Sequence, residues 1–135
     1  MKTILLSYAI ALAAMLCIDY VWLITMGPRF YKTHIGYIMA ENVNYFAALM
    51  MYVIYTFGVA YFIVTPAIEG GFSIYKVLIM GMLFGLVGYG AYDLTNHATI
   101  KGWPLIVTVV DMAWGSVLTG VVSCISYKMS LKFLS

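Results

Sequence analysis

The chain has 135 residues, of which 64% are hydrophobic and 9% charged, and its seven basic and five acidic residues give a net charge of +2. Mean hydropathy is +0.99, whereas a soluble globular chain carries roughly 25% charged residues. This excludes a cytoplasmic enzyme and a disordered chain; the lack of a Lys/Arg cluster excludes nucleic acid as a partner. What remains is an integral membrane protein, expected as one domain over residues 1–135.

A span needs about 20 mostly apolar residues to cross roughly 30 Å of hydrocarbon. Four runs qualify: residues 3–26, 45–65, 73–97 and 104–127. The first follows Lys2 and contains Ala11-Leu12-Ala13, which resembles a signal-peptide cleavage site, but its apolar stretch continues past signal-peptide length and reads better as a span. Gly27-Pro28 is expected to end it. Residues 27–44 form a long loop in which Pro28 is placed to start a short helix, with Phe30, Tyr31, Ile35 and Ile38 on one side. Its plain reading is an interfacial helix lying on the bilayer; the sharper one is a lid over a site at the outer end. Pro66 with Gly70-Gly71 is expected to turn the chain after the second run, and Gly102-Trp103-Pro104 separates the third from the fourth. No alternating pattern suggests a barrel, and helices satisfy their own backbone in lipid. The expected fold is therefore all-α, an integral membrane four-helix bundle with a short interfacial helix in the first outer loop.

Lys2, Lys76, Lys128 and Lys132 would lie on one side of the membrane and Arg29, Lys32 and Lys101 on the other. The small excess points to both termini inside. Cys17 and Cys124 sit in apolar runs and read as small packing residues.

Three acids fall inside the spans: Asp19, Asp93 and Asp111. A charge at the membrane centre costs at least about 2.5 kcal/mol, so such groups normally face the protein interior. Asp19 lies seven residues from Met26 and Asp111 seven from Pro104, which puts both about 10 Å below the outer ends of their helices. Asp93 is four residues from His97, about 6 Å down. Asp93, Asn96 and His97 share one side of the third helix; Thr108, Asp111, Gly115 and Thr119 form a stripe on the fourth, with Trp114 beside it. Tyr45, Tyr52 and Tyr55 line one side of the second helix. Gly81, Gly85 and Gly88 let the third approach a neighbour closely. Three carboxylates cannot all stay ionised together in low dielectric, so some hold protons or cations offset them; Arg29 and Lys101 are the basic side chains able to reach in from the rim.

Each of these acids also reads as a structural tie between helices. Asp93 and His97 have metal-ligand spacing, but two residues are half a site, and no metal or other cofactor is expected. Trp22 and Trp103 read most simply as aromatic-belt residues. No phosphate loop, His-Glu-x-x-His or Gly-x-Ser-x-Gly occurs, so spacing assigns no reaction class.

Tyr92-Asp93-Leu94-Thr95-Asn96, then Ala98-Thr99, Gly102-Trp103-Pro104 and Asp111-Met112-Ala113-Trp114-Gly115 together resemble an uncharacterised bacterial membrane family, domain of unknown function 2177. Asp19-x-x-Trp22-Leu23 and Phe30-Tyr31 resemble its first helix and loop. The resemblance covers nearly the whole chain. It implies a small four-span protein of the bacterial inner membrane with no assigned activity, often encoded near enzymes that modify membrane fatty acyl chains, which tilts the expectation toward lipid chemistry.

Two classes of function follow. In a lipid-modifying or lipid-presenting role, Asp93 or Asp111 acts as general acid or base beside Asp19, and His97 is the proton partner. Trp22, Trp103 and Trp114 line an apolar groove, with Thr95, Asn96 and Arg29 binding at the rim. In a proton-coupled transporter or proton relay, the acids belong to a pathway continued by Thr108, Thr119, Ser123 and Ser126; four helices are few for a carrier, so a homodimer would be needed. A third role is assembly partner of another membrane enzyme. Polarity confined to the outer half favours lipid, and a track across the membrane favours transport. The inward face from Asp19, through Met15, Leu12 and Tyr8, argues against a track.

Overall fold

The computed structural model describes residues 1–135, which are 88% helical with no strand. Four helices are long and apolar enough to cross a membrane. The first, Lys2–Met26, does not stop at Gly27-Pro28. It passes through a π turn, Gly27–Tyr31, into a short helix, Lys32–Ile35, and a 3-10 turn, Gly36–Ile38. Pro28 has no N–H to give, and the ladder steps past it by a wider bond, from the Lys32 N–H to the Gly27 carbonyl.

The second helix opens on Asn44, whose side chain accepts the Ala47 N–H at 3.1 Å. It runs from Tyr45 to Val59, through a second π turn, Ala60–Val64, and on as Thr65–Gly70. Pro66 therefore lies inside the helix rather than in the turn. The preceding π turn absorbs its missing donor, and the chain reverses at Gly71, which has φ +63°. Ser73 caps the third helix, Ile74–Thr99. Gly102, at φ +76°, helps turn the chain toward the fourth, Leu105–Leu134, which opens after Pro104.

The third and fourth helices pack along their length. A Cβ on Gly85 would meet the Gly115 carbonyl oxygen at 2.1 Å, and one on Gly81 would meet the Gly120 Cα at 2.9 Å. Only glycine permits that approach. The fourth helix also packs on the first, where the Ser126 hydroxyl donates to the Ser7 carbonyl at 2.8 Å. Toward the termini the interior is close-packed: Ala11, Met15, Val59, Val64, Ala67, Val77 and Val122 expose no surface, and Ser7, Ser123 and Ser126 are buried among them.

The far half, away from the termini, is built differently. Tyr45–Val59 packs on the first helix and stands off the third and fourth. The π turn at Ala60–Val64 carries the second helix back against them. The extension of the first helix crosses the far end, where the Tyr37 hydroxyl donates to the Gly102 carbonyl at 3.0 Å.

Candidate functional site

The gap left by the second helix is a cavity of about 560 Å³, lined mostly by apolar and aromatic residues from all four helices. Asp19 and Trp22, one turn apart on the first helix, face it with Asp111 and Trp114, one turn apart on the fourth. The two indoles stack, with ring centroids 4.1 Å apart and planes at 5°. Each hands its N–H toward a carboxylate. Trp114 Nε1 donates to Asp19 Oδ1 at 3.0 Å, while Asp19 Oδ2 accepts from the Tyr52 hydroxyl. Trp22 Nε1 donates to the Tyr31 oxygen at 3.1 Å, and Tyr31 donates to Asp111 Oδ1. The extension past Pro28 is what carries Tyr31 over the site, and Ile35 and Met39 from the same stretch complete that wall.

Tyr89 of the third helix also lines the cavity. Its ring lies flat on Gly115, where a Cβ would meet Tyr89 Cγ at 2.1 Å. Tyr55 leans across from the second helix: its hydroxyl pairs with Thr119 Oγ1 at 2.6 Å, and its ring stands edge-on to Tyr89 at 6.1 Å. Gly88 leaves room for it.

Behind the cavity, Asp93 is fully buried and neither carboxyl oxygen meets a donor. It faces Asp111 within hydrogen-bonding reach. Two carboxyl groups so placed are stable only with a proton or a cation between them.

The structure thus divides the expected three-acid layer. Asp93 and Asp111 form a pair. Asp19 lines the same cavity as Asp111 and has its own two donors, and the three do not close into one ligand set. Trp22 and Trp114 both line the cavity. His97 and Trp103 are elsewhere: both bond Thr108, His97 through Nδ1 and Trp103 through Nε1, each at 3.0 Å. Thr108 is one turn beyond Asp111 toward the loop, and its hydroxyl bonds His97 at Nδ1. Asn96 is half-buried and does not line the cavity. Thr95 is exposed on the opposite side from the buried Asp93, its carbonyl taken by the Thr99 hydroxyl at 2.8 Å. Arg29 is exposed, and the π turn carries it away from the acids.

Tyr31, Tyr89, Tyr92, Ala48 and Met51 line the cavity without having been singled out as site residues. Tyr89 had a signal, because it stands one turn before Asp93 on the same face. Tyr31 was read on one side of a short helix that could lid the site, but its bond to Asp111 depends on the helix continuing past a proline.

Of the polar groups down the fourth helix, Ser123 bonds the carbonyl of Thr119 in its own helix. Met15, Val59, Leu118 and Val122 are buried in the same half, beside the buried hydroxyls of Thr119, Ser123 and Ser126.

A family model described as predicted membrane protein (DUF2177) matches residues 4–128. No curated protein and no solved structure matches the chain.

Proposed function

The chain belongs to the predicted membrane protein family DUF2177, and from that premise we propose that its cleft takes a membrane lipid, to present or modify it at Asp111 and Asp19. The observation that carries this reading is where the cavity opens. Its walls at Ala48 and Met51 on the second helix and Gly88 and Tyr92 on the third come from helices whose backbones stand apart there and are bridged by the Tyr55 side chain, which supports a mouth between them on the flank that would face acyl chains. The volume falls within the range of about 300–1,000 Å³ usual for ligand sites. Four helices long and apolar enough to cross a membrane support a lipid-facing flank.

In this reading the chain slides in sideways along Met51, Tyr55 and Tyr89, and the polar end meets the carboxylates. Asp111 is the candidate general base, with Asp93 behind it as the partner that keeps or returns a proton. Tyr31 fixes the Asp111 carboxylate and closes the far end. The protein sits in the bacterial inner membrane with both termini inside. Reporter fusions after Lys101 and at Ser135 would then report opposite faces.

The experiment is native mass spectrometry of the full chain released from detergent. Wild type retains acyl lipid, and Ala48→Phe, which fills the mouth, loses it while remaining folded. Equal retention by both defeats the reading. A proton relay is the second reading, favoured by the donor-free oxygens of Asp93. The apolar fill around Met15 and Val122 weighs against it.

A further inference from the structure

We infer that the cleft selects an amphiphile whose polar end is an ammonium group, rather than a phosphate or an uncharged head. The inference rests on the lipid-binding reading and names the chemistry of the ligand's head. Sixteen residues line the cavity; Asp19 and Asp111 are its only charged ones, and none is Lys, Arg or His. The seven basic residues lie in the terminal segments, near helix ends or in connections, and no cation is built in against the acids. A phosphate head would therefore meet two carboxylates in a low-dielectric site with nothing to offset its charge. An ammonium head would meet the missing counter-charge.

The remaining walls fit the same head. Trp22 and Trp114 stack on each other in the cavity wall, and Tyr52 and Tyr89 also line it. Aromatic faces attract cations, and do so more strongly where water is excluded. Each carboxylate oxygen of Asp19 already accepts one N–H or O–H donor and retains room for a second. Asp111 has one oxygen occupied by Tyr31 and shares its surroundings with Asp93, which is fully buried without a donor. An ammonium beside Asp111 supplies the positive charge that the Asp93–Asp111 pair otherwise needs from a shared proton. The acids alone would not identify a ligand; the donor-free buried Asp93 and the aromatic walls of a real cavity do.

The test uses the purified full chain in a maltoside detergent, read by tryptophan fluorescence, since two of the three indoles line the cavity. Three probes share a twelve-carbon chain: dodecylamine, dodecyl phosphate and dodecanol. Dodecylamine is expected to bind at least about 10-fold more tightly than either of the others. Asp111→Asn should reduce that preference to about 3-fold or less while the chain still binds. Equal or tighter binding of the phosphate or the alcohol overturns the ammonium inference and leaves the lipid cleft standing. Failure of all three to bind saturably overturns the cleft reading itself. If Asp111→Asn does not fold, the ranking of the probes on wild type still decides. Competition with phosphatidylethanolamine and phosphatidylglycerol identifies the source. Displacement by the first alone assigns the head to a membrane lipid; displacement by neither assigns it to a free long-chain amine, and both results sustain the inference. Displacement by phosphatidylglycerol as strong as by phosphatidylethanolamine contradicts it.

Discussion

The half of the bundle near the termini and the half away from them use the same four helices to opposite ends. Near the termini, Gly81, Gly85 and Gly120 bring backbones together, and Val59, Val77 and Val122 fill what remains. In the far half the side chains at the interfaces are Trp22, Tyr31, Tyr52, Tyr89 and Trp114, and their bulk props open a cavity. The second helix makes the transition. Its π turn at Ala60–Val64 lets one end pack while the other stands off. A close-packed half thus serves as the clamp that holds an open half in register, and polar groups fix the open half where apolar packing cannot.

The clamp is the place where a single change should do most damage. Gly85→Leu drives a side chain into the Gly115 backbone, and the third and fourth helices must part. A loss of about 3 kcal/mol is expected, seen as a lowered midpoint in thermal unfolding in detergent. Near-wild-type stability would mean that the glycine crossing is not what closes this half.

In the open half, Asp19→Leu comes next. It leaves the Trp114 N–H and the Tyr52 hydroxyl without their acceptor, and about 2 kcal/mol should be lost. Tyr31→Phe removes a single hydroxyl that joins Trp22 to Asp111. About 1 kcal/mol is expected, in line with other interhelical polar contacts in membranes, and hydrogen exchange should rise across 27–38 before the rest of the chain. If protection falls uniformly instead, the extension is part of the clamp and the comparison is misdrawn.

The smallest effect should come from Asp93→Asn. The amide keeps the shape and gives Asp111 an N–H, so the pair no longer needs a proton or cation, and stability should fall by no more than about 0.5 kcal/mol. Ligand binding should nevertheless weaken, because a negative charge behind the site is gone. A variant that unfolds would make Asp93 a structural tie and nothing more.

How much of this the sequence carried differs between the halves. Four apolar runs identified four spans, because in lipid the backbone has few other choices. The glycines at 81 and 85 pointed to a close approach, which the third helix makes. Pro28 and Pro66 misled, since a proline removes one donor but does not say whether the ladder will stop or widen around it. That depends on neighbours: Tyr31 has Asp111 to bond, and Ile63, Val64 and Ala67 have the core to enter. Depth counting placed the three aspartates in the right half but could not resolve which partners they would choose. Thr108 illustrates this: it holds both His97, the expected proton partner, and Trp103, expected on the groove. Among twelve tyrosines, Tyr89 was passed over and Tyr31 was read only as part of the loop helix.

The central claim is that lipid enters the open half, and photo-crosslinking tests it most directly. A lipid with a photoreactive group near the end of its acyl chain is incorporated into membranes holding the full chain, and adducts are mapped by mass spectrometry. Met51, Tyr55 and Tyr89 should carry adducts well above those on Ile79 and Phe133, which are exposed outside the cavity, and Ala48→Phe should abolish the excess. Adducts spread evenly over the exposed residues, unchanged by Ala48→Phe, would contradict the account.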